Sequence, residues 1–280
     1  MKAKLLEGKV LAEKIKEDLK KEISALNKSI TLAAIQVGEN PSSEIYLKSQ
    51  KKNAENLGIN YQLLKLDVTT KEEELLALID KINRDSSING VIIQMPLPAQ
   101  ISRQKVIEAI SGIKDVEGMH PANLGQIILG KPIFIPCTAQ AAFELVKSTG
   151  VNLYGKEVVI VGHSEIVGKP LNLLFLNEFA TVTVCHIGTS QAGHLEEHVR
   201  RAEILVVAVG KANLIKGDWI KEDALVIDVG INKVGDKIVG DVEFGPAAER
   251  ASFITPVPGG VGPLTVTMLM RNLVKAVKLQ

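Results

Sequence analysis

The chain has 280 residues, with 33 Lys and Arg against 32 Asp and Glu, a formal net charge of +1. That balance leaves no basic surplus to make nucleic acid the default partner, and 46% hydrophobic with 23% charged residues is the composition of a globular rather than a disordered chain. No apolar run approaches the ~20 residues of a membrane span, the charged stretch Met1 to Glu22 has no signal-peptide core, and the cysteines Cys137 and Cys185 form no CxxC pair, which fits free thiols in a reducing cytoplasm.

A length of 280 residues suggests two domains. Leu11, Ile15, Leu19 and Ile23 recur every four residues and predict an amphipathic first helix. Ile30 to Val37 is a β-branched run closed by Gly38, hence a buried strand. Asn40-Pro41 opens a second helix that runs to about Leu57 and stops at Gly58. Tyr61 to Val68 predicts a strand, Thr70 a cap for an acidic helix, and Gly90 to Gln94 a third strand before Met95-Pro96-Leu97-Pro98. From Ser111 to Pro136 the pattern is loop-like. Thr138 is placed as the cap of a helix to about Thr149. Strands are then expected at Glu157–Val161, Thr181–Cys185, Glu203–Val209 and Ala224–Val229, with helices at Lys169–Glu178 and Pro263–Leu279. Such alternation predicts an α/β fold with a largely parallel sheet, its second half a nucleotide-binding domain.

Three features carry chemistry. The segment Gly162-His163-Ser164-Glu165-Ile166-Val167-Gly168-Lys169-Pro170 joins a strand to a helix. A glycine-rich turn there aims backbone N–H groups at an anion, but the spacing is not GxGxxG, so dinucleotide binding and a plain tight turn both stay open. No acid or Arg ends the next strand, Val184-Cys185-His186-Ile187-Gly188, so the usual mark of NAD or NADP preference is missing. Ser43, Tyr46 and Gln50 share one helix face by their i, i+3, i+7 spacing, either as a solvated stripe or as a ligand face. Gln94, at a strand's carboxyl end, could line one cleft with that helix. Lys114-Asp115-Val116-Glu117-Gly118 adds loop carboxylates, which are usually solvated. No metal site is expected.

Together these segments resemble the methylenetetrahydrofolate dehydrogenase/methenyltetrahydrofolate cyclohydrolase family over essentially the whole chain. The carriers are Val37-Gly38-Glu39-Asn40-Pro41-Ser42-Ser43 with Tyr46, Gln94-Met95-Pro96-Leu97-Pro98, Lys114-Asp115-Val116-Glu117-Gly118, Pro136-Cys137-Thr138, the Gly162–Pro170 loop, and Thr255-Pro256-Val257-Pro258-Gly259-Gly260-Val261-Gly262-Pro263-Leu264-Thr265. The resemblance implies two α/β domains around a cleft. Residues 1–137 would form a folate-binding catalytic domain, completed by a helix over 263–280, and 138–262 a Rossmann-like NAD(P)-binding domain. It implies a homodimer formed through the cofactor domains, tetrahydrofolate derivatives as substrates, and NAD or NADP as cofactor. Catalytic roles fall on Tyr46, Gln50, Gln94 and Glu117. Substrate contacts fall on Ser43, Tyr46, Gln94, Pro96, Leu97, Glu117, Pro258, Gly259 and Gly260. Cofactor contacts fall on Gly162, His163, Ser164, Ile166, Val167, Ile187 and Ile231.

Several positions depart from the family pattern. Gln50 stands where the family has its catalytic Lys, and Lys48 is about 160° away around the helix and cannot replace it. Glu117 stands for the pterin-binding Asp, His163 for an Arg, and Ala139 and Ala141 for a Pro and a Gly; Ile187 lies where some NADP-using members have a polar residue. An amide exchanges no proton, and opening the methenyl ring needs proton transfer. The expected activity is therefore oxidation of 5,10-methylenetetrahydrofolate with weak or absent cyclohydrolase. The alternatives are the bifunctional enzyme making 10-formyltetrahydrofolate and a non-catalytic folate- or nucleotide-binding paralogue.

Overall fold

The computed structural model describes residues 2–280, apart from the side chains of residues 41–43 and 45. In chain order the elements are β1 (Lys4–Leu5), α1 (Gly8–Leu26), β2 (Thr31–Val37), α2 (Pro41–Asn56), β3 (Asn60–Leu66), α3 (Glu72–Arg84), β4 (Gly90–Ile93), α4 (Arg103–Ala109), α5 (Pro121–Ile128) and α6 (Cys137–Ser148). Then follow β5 (Glu157–Val161), α7 (Gly168–Asn177), β6 (Thr181–Cys185), α8 (Ile187–Gln191), α9 (Leu195–Arg201), β7 (Ile204–Val207), β8 (Leu225–Asp228), β9 (Asn232–Val234), β10 (Lys237–Val239), α10 (Phe244–Arg250), β11 (Phe253–Ile254) and α11 (Val261–Leu279). The chain separates into two compact units, Lys14–Ile135 with Val266–Gln280, and Met1–Glu13 with Pro136–Thr265, the division falling inside α1 and α11.

The first unit carries a three-stranded parallel sheet, β3-β2-β4. Alternate residues of a strand face opposite sides. Ala33, Ile35 and Val37 on one side meet Leu75, Ile79 and Ile82 of α3 and Val106 of α4 in an apolar core. Leu32, Ala34 and Gln36 occupy the other side of β2, and register sets Gln94 beside Gln36 and Tyr61 beside Leu32. The helix α3 starts one residue later than Thr70 predicts. Lys71 is its N-cap, and the Glu74 side chain reaches back to the Lys71 N–H. The segment from Ser111 to Pro136 is not all loop, since it holds α5, with His120 as N-cap and Pro121 in the first turn. Pro136, not Thr138, caps α6.

The second unit carries a six-stranded parallel sheet in the order β1-β11-β8-β7-β5-β6. From β5 the chain steps outward to β6, then returns to lay β7 and β8 on the other side. That reversal between β5 and β7 is the topological switch point of a doubly wound sheet, where ligands bind beyond the strands' carboxyl ends. Because β1 pairs with β11, the first residues belong to this sheet and not to a domain spanning 1–137. Ala139 and Ala141 are fully buried in α6, so their departure from the family pattern concerns packing. Cys137 and Cys185 are both buried, with no disulfide between them. Among the described residues no helix is long and apolar enough to cross a membrane.

Candidate active site

In the three-stranded unit the Gln50 end of the expected polar stripe turns inward. Gln50 is 0% exposed. Its Oε1 accepts the Tyr61 hydroxyl at 2.9 Å and the Gln94 Nε2–H at 3.2 Å. Neither a solvated face nor an open ligand face describes that side chain, because α2 packs Gln50 down onto β3 and the end of β4. Its Nε2 and the Oε1 of Gln36 are buried without a hydrogen-bond partner among the described residues. Tyr46 is half-buried one turn before Gln50, and Lys48 is exposed. The side chain of Ser43 lies outside the described residues. Gln36 and Tyr61 belong to no motif in the sequence. Tyr61 sits in a strand of alternating polarity, where nothing local distinguishes it.

The segment after α4 sorts into structural and candidate functional groups. Lys114 is buried, and its Nζ donates to the carbonyls of Ile82 and Asp85 at 2.8 and 2.6 Å, closing the end of α3. Asp115 is buried too, and accepts the His120 N–H and the Asn123 Nδ2–H, which fixes the start of α5. Asp115 is therefore not solvated as loop carboxylates usually are. Only the Glu117 side chain is partly exposed. Burial pushes its carboxyl up to about 7, and the Asp115 carboxylate adds to the rise; a backbone hydrogen bond from Ile93 and the Arg103 guanidinium pull the other way. Burial first, and the Glu117 carboxylate second, hold the Tyr61 phenol above its usual range, so it remains a neutral donor. After β4, Pro96 is exposed, while Leu97 is half-buried against the apolar core.

In the six-stranded unit the loop after β5 explains its glycines. A Cβ on Gly162, at φ +129°, would lie 2.4 Å from the Ala208 carbonyl oxygen, and one on Gly168 would lie 2.0 Å from that of Gly162. The Ser164 Oγ accepts the Val167 N–H at 3.2 Å, and its carbonyl accepts the Lys169 N–H at 3.0 Å. Val167 is buried, so only its backbone can face a ligand. His163 is exposed, its ring 5.2 Å from that of His186 at the end of β6. Ile166, Ile187 and Ile231 are exposed at 45%, 69% and 66%, an apolar series around the carboxyl ends of the strands. The tight glycine turn and these apolar side chains fit a dinucleotide. Also in this unit are Pro258, exposed, and Gly259 and Gly260. The Gly8 N–H donates to the Gly259 carbonyl, and a Cβ on Gly260 would lie 2.7 Å from the Pro256 carbonyl oxygen.

Fold and side chains define a two-domain α/β protein whose six-stranded unit has the switch-point architecture of a Rossmann-like dinucleotide-binding domain. The chain belongs to the tetrahydrofolate dehydrogenase/cyclohydrolase family: residues 6–117 match the model of its catalytic domain and residues 136–280 that of its NAD(P)-binding domain. NAD or NADP is accordingly the cofactor class. A "Bifunctional protein FolD" of Bacillus pumilus is 52% identical over 282 residues, covering 99% of each chain. The crystal structure of a bifunctional FolD methylenetetrahydrofolate dehydrogenase/cyclohydrolase from Campylobacter jejuni superposes with a TM-score of 0.96 at 44% identity, covering 99% of each chain. A FolD from Trypanosoma brucei, complexed with NADP and an inhibitor, has a TM-score of 0.94 at 35% identity, covering 99% of this chain and 98% of that one.

Proposed function

We propose that this protein oxidises 5,10-methylenetetrahydrofolate with NAD or NADP and then hydrolyses the methenyl product to 10-formyltetrahydrofolate. The observation that carries this reading is full-length likeness, at 52% identity, to a relative named as bifunctional. In the first reaction a hydride leaves the methylene carbon and a methenyl cation remains. Bound NAD or NADP would supply the hydride acceptor. The chain's own contribution is alignment, the main requirement of such a transfer. Tyr46 stacks on the folate, and ionised Glu117 accepts the pterin's amino and ring N–H groups. The Gly162–Val167 loop receives the cofactor's phosphates.

In the second reaction a water oxygen bonds to the methenyl carbon and gives a proton to solvent. The bond to the ring nitrogen then breaks with its electron pair on nitrogen, which takes the proton released as the formyl C=O forms. One water is consumed and one proton released.

Gln50 favours a second reading, a dehydrogenase with little hydrolase activity. It is buried, its carbonyl already holds two donors, and it moves no proton. Decay of methenyl absorbance, corrected for the uncatalysed rate, separates the two. Turnover by the unmodified protein well above background is expected. Background turnover that Gln50→Lys raises roughly tenfold or more would transfer the conclusion to the second reading. A homodimer through the cofactor domains belongs to the same proposal, and sedimentation at micromolar concentration tests it.

A further inference from the structure

Two buried carboxylates in the six-stranded unit take no part in the chemistry above. Asp228 ends β8, and Asp241 follows β10. They are 4% and 0% exposed. Asp228 accepts the Gly230 and Asp241 N–H groups on Oδ1, both at 3.0 Å, and the Val242 N–H on Oδ2 at 2.9 Å. Its own N–H donates to the Thr255 Oγ1 at 2.7 Å. Asp241 accepts the Val209 and Gly210 N–H groups on Oδ2 at 2.7 and 3.0 Å. On Oδ1 it accepts the Lys211 N–H at 2.8 Å and the Asn232 Nδ2–H at 2.9 Å.

Three consecutive backbone N–H groups converging on one anion form a nest. Here the anion is the protein's own carboxylate. The fit leaves no spare volume: a Cβ on Gly230 would lie 2.2 Å from the Asp241 carboxylate, and one on Gly240 would lie 1.9 Å from the Asp228 Oδ2. The segments so held surround the switch point. Residues 209–211 continue directly from Ala208, whose carbonyl leaves no room for a side chain at Gly162. Ile231, two-thirds exposed, lies between Gly230, bonded to Asp228, and Asn232, bonded to Asp241.

We propose that Asp241, with Asp228 behind it, is a positioning residue for the dinucleotide: the pair clasps the loop after β7 to the loop after β8 and so sets the wall formed by Gly162 and Ile231. Asp228 holds the Asp241 backbone, and Asp241 holds both loops. The proposal rests on NAD or NADP binding by this domain. Neither carboxylate touches the cofactor in this account. An amide at position 241 cannot reproduce the arrangement, because it has one acceptor oxygen for four donors. Whichever oxygen becomes NH₂ then opposes at least one backbone N–H.

Calorimetric titration of the purified full chain with NAD and with NADP tests this. Asp241→Asn should weaken Kd at least tenfold for the cofactor that the wild type binds more tightly, and raise the KM for that cofactor in parallel. Asp228→Asn, which disturbs one donor directly, should weaken it about threefold. A merely structural role would lower the number of binding sites per chain and leave the Kd of the folded fraction unchanged. That outcome, or a Kd within twofold of wild type, overturns the proposal. If Asp241→Asn does not fold, Asn232→Ala carries the test. It removes the Nδ2 donor to Asp241, and with it a long 3.5 Å bond to the Val239 carbonyl, and should weaken Kd about threefold, and an unchanged Kd again overturns the clasp. If the wild type binds neither NAD nor NADP, the cofactor assignment itself falls, which is a different failure.

Discussion

Glu117 sits near the middle of its titration at neutral pH, and this makes substrate affinity depend on pH in a calculable way. With a carboxyl pKa of about 7, about one molecule in eleven is ionised at pH 6 and about ten in eleven at pH 8. Only the carboxylate can accept two N–H donors from the pterin, so affinity for methylenetetrahydrofolate should rise about tenfold between pH 6 and pH 8 and level off above that. The substrate also titrates, so the control is Glu117→Gln, which keeps the shape and removes the ionisation. The assay is KM, or the Kd of a non-reactive folate analogue, across pH 5.5–9 for both proteins. The ratio of the two profiles isolates the side chain. Stability should move the opposite way. The folded-state pKa lies above the unfolded value of 4.5, so Glu117's favourable contribution is complete below about pH 4.5 and is lost as pH rises through about 7. Removing the charge should therefore raise the melting temperature at pH 8, with little effect at pH 4. Because the side chain is partly exposed, the gain should be about 1–2 kcal/mol, less than a fully buried group would give. Parallel pH profiles for the wild type and the Glu117→Gln variant would refute the argument.

Three further outcomes are expected. Tyr61→Phe removes the 2.9 Å bond to Gln50 and should cost about 1 kcal/mol by denaturant titration, the net worth of one such bond; no loss would mean that the amide finds another partner. Gly240→Ala sets a Cβ 1.9 Å from the Asp228 Oδ2 and should destabilise the protein by roughly 3 kcal/mol or more, whereas Gly245→Ala, which meets nothing within 4 Å, should stay within about 1 kcal/mol of wild type on the same scale. We propose that NAD is used at least as well as NADP, since His163 lacks the charged donor fork of Arg; comparison of kcat/KM for the two cofactors checks it, a tenfold preference for NADP contradicts it, and His163→Arg should shift the ratio toward NADP about tenfold.

Much of this protein is legible in local pattern. Apolar strands of four to eight residues, glycines at strand ends and amphipathic periods mark β2, β4, β5 and β7 and, of the helices between them, α2, α3, α6 and α7, because strand and helix periodicities are properties of neighbours along the chain. The α/β class and the loop after β5 follow from the same signals, whereas the family is identified by resemblance, through motif segments that recur in its order. Boundaries moved where cap geometry decided them. Lys71 and Pro136 cap helices that Thr70 and Thr138 were expected to begin, and α5 emerged from a stretch dense in Gly and Pro.

What packs against a side chain is not local, and tertiary structure alone decided it. The spacing of Ser43, Tyr46 and Gln50 places them on one face, but only the seating of α2 on its sheet turns Gln50 inward, toward Tyr61 and Gln94. The sequence Asp115-Val116-Glu117 shows two carboxylates. The fold makes one a bracket for α5 and leaves the other poised near neutrality, because desolvation depends on what surrounds a charge. Asp228 and Asp241 read as ordinary acids beside a strand and a hairpin. Their role arises when β7, β8 and the hairpin converge and backbone N–H groups from loops distant in sequence need an acceptor that water cannot reach.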